Sequence, residues 1–109
     1  MSQLFTPHPL GRLSLKNRLV VAPMCQYSAK DGVVQPWHEQ HLGHLACSGA
    51  AAVTIEATGV AEEGRVTHGC LGLWNDEQMS ALGQLVGRVR DYSDAAIGIQ
   101  LNHAGRNGP

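Results

Sequence analysis

Three short apolar runs, separated by stretches of helical periodicity, constrain this chain more than any other feature. They are Arg18-Leu19-Val20-Val21-Ala22, the segment Ala51 to Thr58, and the segment Ala96 to Leu101. Each has strand length, and their near-continuous apolar character matches strands buried in a parallel sheet. Pro23 stops the first run, because proline cannot donate to a ladder, and Gly59 follows the second. Between the first two runs the sequence predicts a helix from Pro36 to Ser48. Proline is tolerated in a first helical turn, and Gly49 is placed as the C′ residue. Between the second and third runs it predicts a helix from Asn75 to near Tyr92. Asn75 caps it, Gln78 is the capping-box partner, and Met79, Leu82, Val86 and Val89 form one apolar stripe.

The order is β-α-β-α-β, which implies parallel strands joined by right-handed crossovers. Ahead of it, Leu10 to Leu15 predicts a short strand paired with residues around Phe5, with Leu13 and Leu15 on one face. Met24 to Gln35 is a loop that turns at Asp31-Gly32, and residues 61–74 form a second loop. With no internal repeat, low-complexity tract or linker, residues 1–109 read as one α/β unit.

Composition narrows the function classes. A formal net charge of −1 and the lack of a long basic run leave no electrostatic footprint for nucleic acid. No apolar stretch approaches the ~20 residues of a membrane span. The Met1–Arg12 stretch lacks the pattern of a signal peptide. The three cysteines, Cys25, Cys47 and Cys70, are widely spaced without a C-x-x-C pair, so free thiols in the cytoplasm are expected.

Parallel α/β folds bind ligands beyond the carboxyl ends of their strands. That rule selects Pro23 to Tyr27, Glu56 to Thr58, and Gln100 to His103 on one rim. The chain carries no G-x-G-x-x-G after a strand, no G-x-x-x-x-G-K-[ST] and no G-x-S-x-G, so a Rossmann site, a P-loop and a hydrolase elbow find no support.

Several segments, in order along nearly the whole chain, resemble the old yellow enzyme family of NAD(P)H:flavin oxidoreductases, or ene-reductases. They are Leu15-Lys16-Asn17-Arg18, Ala22-Pro23-Met24-Cys25-Gln26-Tyr27, Glu56-Ala57-Thr58-Gly59-Val60, Gly72-Leu73-Trp74-Asn75-Asp76-Glu77 and Gln100-Leu101-Asn102-His103-Ala104-Gly105-Arg106. The cysteine after Pro23-Met24 is similar to that of the thermophilic-like, xenobiotic reductase branch. The resemblance implies a (β/α)8 TIM barrel, of which this chain would be the N-terminal portion, about three βα units. Such barrels need about 250 residues, so the paired His or His/Asn that grips the substrate carbonyl, the proton-donating tyrosine and the FMN phosphate loops would lie further on. Three strands alone would leave open edges that invite association.

The resemblance also implies FMN as cofactor, NADPH or NADH as hydride donor, and an activated alkene (an enone, enal or nitroalkene) as substrate. Pro23, Met24, Cys25, Ala57 and Gln100 would hold or tune the flavin, and Cys25 and Tyr27 would be the catalytic positions. The Gln100 carboxamide, with donors and an acceptor, matches the C=O/N–H edge of the ring. Ala57 resembles the small residue that lets the ring approach the second strand, with plain barrel core as its alternative. Cys25 would modulate redox balance from beside it. Tyr27 would meet substrate at the mouth. The full-length protein is expected to be a homo-oligomer. Alternatives are a catalytically silent partial barrel serving binding or assembly, and a dienoyl-CoA reductase or trimethylamine dehydrogenase type of the same superfamily.

Cys47 and Cys70 are expected to be ordinary packing residues. His38, His41 and His44 fan over about 120° of their helix; His41 and His44 could in principle join a metal site with Glu39, but the helix does not carry H-E-x-x-H, so a packing or surface role is expected, and the resemblance implies no metal. His103 and Arg106 stand on the rim without an assigned role. Glu56 falls in a buried strand and needs a partner, which the sequence does not name.

Overall fold

A computed structural model describes residues 2–109; Met1, the first residue of the expected unit, lies outside the described residues. The chain opens with a two-stranded antiparallel ribbon of β1 (His8–Leu10) and β2 (Leu13–Leu15). The hairpin expected with residues around Phe5 is therefore shifted. Phe5 lies in a 3-10 turn, and Gly11, at φ 59°, makes the bend that splits the expected Leu10–Leu15 strand. Leu15 is buried, whereas Leu13 is exposed.

The parallel sheet is built on β4 (Ala52–Gly59). On one side it pairs β3 (Val20–Val21), with Val20 opposite Ala52. It also pairs β6 (Ala96–Asn102), with Ala52 opposite Ala96. A further two-residue strand, β5 (Leu71–Gly72), joins the carboxyl end of β4 inside the expected 61–74 loop. Asn17 fastens the entry to the sheet: its Oδ1 accepts from the N–H groups of Leu19 and Ala51, and its Nδ2 donates to the Gly49 carbonyl.

Helix α1 (Pro36–Ala46) ends two residues before its expected limit, with Cys47 as C-cap. Helix α2 (Asp76–Arg90) starts as expected, with the Asn75 side chain accepting from the Gln78 N–H at 2.9 Å. The capping box is not completed. Gln78 Oε1 accepts from the Trp74 N–H, and its Nε2 donates to the Asp31 carbonyl, so this buried side chain ties α2 to the preceding loop. The Asp31-Gly32 turn is present with both residues at positive φ, 51° and 74°, the backbone of a type I′ hairpin turn.

Both helices pack on one face of the sheet. Val53, Ile55, Leu42, Ala46, Leu82, Leu85 and Val89 form the core, joined by the partly buried Val21, Ile97 and Ile99. Strand alternation then sends Val20, Gly98 and Gln100 to the other face, where they are exposed. The first strand is thus covered on one face only, not fully buried as its apolar run suggested. Met79, expected in the α2 stripe, is 60% exposed, and Leu85 takes its place in the core.

Candidate active site

The uncovered sheet face carries the candidate site. Along β4 and β6 the register runs Ile55 opposite Ile99 and then Thr58 opposite Leu101. Three steps on β4 match two on β6, so Glu56 and Ala57 together face Gln100 across a β-bulge. Ala57 is half-buried and Gln100 exposed. A Cβ added at Gly98, two residues before Gln100, would meet nothing within 4 Å. The face is therefore open above a small residue and a carboxamide.

Beyond β3, residues Pro23 to Tyr27 cross in front of the β4 carboxyl end. Burial raises the Cys25 thiol and the nearby Ala57 N–H works against that shift, which places the thiol beside the bulge. Cys25, Ala57 and Gln100 thus come together at neighbouring strand ends, with Pro23 and Met24 on the approach. Met24 also borders a cavity between α1 and β4. Tyr27 is 60% exposed and sits at φ 55°, the left-handed region that non-glycine residues adopt at a cost.

Contacts not anticipated from the sequence hold this segment. Gln26 Nε2 donates to the Met24 carbonyl, and Gln26 Oε1 accepts from Trp37 Nε1, each at 2.9 Å. Trp37 stacks on His41 with ring centroids 6.4 Å apart. Gly69 runs so close beneath Tyr27 that an added Cβ would stand 2.6 Å from the Tyr27 carbonyl oxygen. The Ala29 N–H donates to the Gly69 carbonyl. Gln26 lies inside the Pro23–Tyr27 segment, but its pairing with Trp37 of α1 is tertiary and leaves no local signal in the sequence.

The group facing Glu56 is His38, without a hydrogen bond between them. Each is 5% exposed, and His38 Nε2 lies 3.9 Å from Glu56 Oε2. Nδ1 of His38 accepts from the Gln35 N–H at 2.8 Å, so the ring proton is assigned to Nε2, facing the carboxyl. Burial pushes the Glu56 carboxyl up to about 7, with the Gln26 and Leu71 N–H groups working against that shift. Burial likewise pushes the His38 imidazole down. His44 is exposed on the same helix.

His103 packs against Gly64, and its Nδ1 accepts from the Gly105 N–H. The Ala104 N–H donates to the Gly64 carbonyl. His103 therefore joins the segment after β6 to the loop after β4. Arg106 is exposed. Cys70 is buried against Thr67, and Cys47 is exposed, so Cys47 does not pack in the interior as expected.

An open rim at the carboxyl ends of parallel strands, with helices on the opposite face, is the layout of an α/β barrel. Residues 3–109 match the NADH:flavin oxidoreductase / NADH oxidase family, and the chain belongs to that family. It is 49% identical over 108 residues to an NADPH dehydrogenase of Listeria monocytogenes, covering 97% of this chain and 32% of that relative. It is 47% identical over 105 residues to an NADPH dehydrogenase of Geobacillus thermodenitrificans, covering 94% and 31%. The chain thus spans about a third of the length of the curated relatives it matches. Among solved structures, morphinone reductase in complex with tetrahydroNAD superposes with a TM-score of 0.87 at 30% identity, covering 99% of this chain and 29% of that one. The old yellow enzyme from Trypanosoma cruzi gives 0.87 at 28% identity, covering 97% and 28%. The fold is part of the (β/α)8 barrel of the old yellow enzymes, as the resemblance implied.

Proposed function

We propose that this chain supplies one side of the FMN site in an NAD(P)H-dependent oxidoreductase that reduces activated alkenes. The carrying observation is the bulged β4–β6 ledge, with Ala57 and Gln100 together on an uncovered face and Cys25 at its flank. This donor set fits a flat heteroaromatic ring. Ala57 leaves room for close approach, and the Gln100 carboxamide offers complementary donors and acceptor to the C=O/N–H edge. The backbone at Pro23 and Met24 borders the ring. Cys25 adds a polarizable thiol held neutral, because burial raises it above its ordinary value. Tyr27, at the outer lip, presents its phenol to substrate.

When bound, FMN would supply the hydride chemistry between NADPH or NADH and an alkene, the carbon β to a carbonyl or nitro group gaining a hydride and the α carbon a proton. The residues of this chain orient and tune. Gln100 fixes the plane of the ring, and Gln26 and Trp37 hold the Pro23–Tyr27 segment against it. The free cysteines agree with a reducing, cytoplasmic setting. No described helix is long and apolar enough to cross a membrane.

The test is colour. Purified in excess FMN, the complete barrel retains a visible flavin band that NADPH bleaches and an enone restores, while the 109 residues alone retain little. A complete protein that stays colourless overturns the proposal and favours a silent binding module.

A further inference from the structure

Among the described residues, only Tyr27 and Asp31 combine a side chain with a left-handed backbone, at φ 55° and 51°. Asp31 is accounted for by its turn with Gly32, closed by the Lys30–Val33 bridge. Tyr27 lies in no such turn, and its side chain is 60% exposed, so packing of its own ring does not hold the backbone there. A strained residue persists only where its neighbours over-determine it, and such residues concentrate at functional sites. We propose that Trp37 is a positioning residue for Tyr27: its indole N–H, acting through the Gln26 carboxamide, holds the strained Tyr27 backbone and keeps the phenol at the lip of the ledge. What the phenol meets there rests on the flavin reading; the restraint does not.

The geometry carries it. On the downstream side, buried Ala29 is tied by its N–H to the Gly69 carbonyl at 3.0 Å, and the Gly69 backbone lies directly under Tyr27. On the upstream side the fastening is made by side chains. Both ends of the Gln26 carboxamide are engaged, Nε2 with the Met24 carbonyl and Oε1 with Trp37 Nε1. Ser28 Oγ donates to the Gln26 carbonyl at 2.9 Å. Tyr27 therefore stands between two anchored neighbours, and the upstream anchor reaches a fixed element only through Trp37.

Trp37 is built to be that fixed point. It follows Pro36 in the first turn of α1, where the proline ring sets φ for the helix. The Gln35 N–H donates to His38 Nδ1 at 2.8 Å and secures the same turn. The indole stacks on His41 one turn further on, with 19° between the ring planes. Trp37 is 48% exposed, so the core does not need it. Its single donor is spent on Gln26. The strain at a left-handed tyrosine and the worth of one hydrogen bond are of similar size. Loss of the indole N–H therefore moves a large share of the molecules out of that backbone and carries the phenol away from the lip.

The test uses the complete barrel with Trp37→Phe, which keeps the stack on His41 and removes the N–H, together with Tyr27→Phe and the double variant. With cyclohexenone as substrate, Trp37→Phe is expected to raise KM about fivefold, the equivalent of one lost hydrogen bond, and to leave kcat within about twofold, as loss of uniform binding does. A merely structural role would lower the active fraction, and so kcat. The double variant is expected to be no worse than Tyr27→Phe alone, because the indole acts through the phenol. An unchanged KM in either single variant, or effects that multiply, overturns the proposal. Gln26→Leu removes both carboxamide bonds and is expected to reproduce Trp37→Phe; it decides if that variant does not fold. A second readout needs no flavin. Hydrogen exchange at the Ala29 amide is expected to be about fivefold faster in Trp37→Phe, and an unchanged rate overturns the restraint. FMN retention is measured first, so a colourless complete protein defeats the flavin reading while exchange still decides the restraint.

Discussion

Replacing Glu56 with glutamine should make the protein more stable at pH 8 and leave it nearly unchanged at pH 5. Glu56 titrates at about 7 in the fold against an ordinary 4.5. Between those values the folded chain holds a proton that the unfolded chain has released. Stability therefore falls as pH rises, by about 1.4 kcal/mol per unit for one proton, and the loss is complete above pH 7. Integrated over the window, the burial of this carboxylate costs about 3 kcal/mol. That is a large share of the roughly 5–15 kcal/mol that stabilises an ordinary domain. His38 acts in the opposite sense. Its folded value lies below 6.5, so its contribution is present above pH 6.5 and is lost as pH falls further. The two slopes offset in the unsubstituted protein, which is why the difference between variants is the quantity to follow. Urea unfolding of both proteins at pH 5, 6, 7 and 8 gives that difference directly. It should grow by about 1.4 kcal/mol per pH unit to a plateau near 3 kcal/mol. A difference independent of pH would mean that Glu56 is solvated or paired with a cation, and the buried pair would be refuted.

Two further outcomes follow from the geometry. Gly32→Ala should destabilise by more than Gly49→Ala, as read from urea midpoints. Both glycines have positive φ, but a Cβ at Gly32 would stand 2.4 Å from Gln78 Nε2 while Gly49 opens on empty space; equal losses would show that Gln78 moves aside freely. Gln100→Leu in the complete barrel should weaken FMN retention by about tenfold, from about 1–1.5 kcal/mol of lost hydrogen bonding, measured by flavin release on dilution; unaltered retention would remove Gln100 from the ledge.

The sequence exposed the scaffold well because the scaffold is periodic. The runs at Val20, Val53 and Ile97 and the Asn75 cap are local patterns, and each appears close to its expected place. The misses have tertiary causes. Gln78 looked like a capping-box partner, but its carboxamide reaches the Asp31 carbonyl, 47 residues away in sequence. The partner of Leu13–Leu15 was expected around Phe5 and is His8–Leu10, where a two-stranded edge ribbon accepts Pro9. β5 is only two residues long and exists because the end of β4 offers a free ladder. Val20 has the apolar character of a buried residue and is 54% exposed, because the described helices cover only one face of the sheet.

The bulge explains why Glu56 turns to the helix side and Ala57 to the open face, the reverse of what regular alternation gives. In a regular strand Glu56 would share the face of Thr54 and Ala57 that of Ile55. The extra residue between Ile55 and Thr58 breaks this alternation. Ile55 and Glu56 both turn toward the helices and line the cavity with His38, and Ala57 falls beside Gln100 on the ledge. A carboxyl is thereby buried one peptide away from the surface proposed to carry the flavin. No period-2 reading of Ala51 to Thr58 reveals this, since the irregularity lies in the pairing with β6 and not in the run itself. A substitution that restored regular pairing would move the acid to the open face and Ala57 into the core, so the ledge and the buried pair depend on one backbone feature. They should be lost together, and that joint loss is what separates a bulge maintained for the site from one that merely absorbs strain.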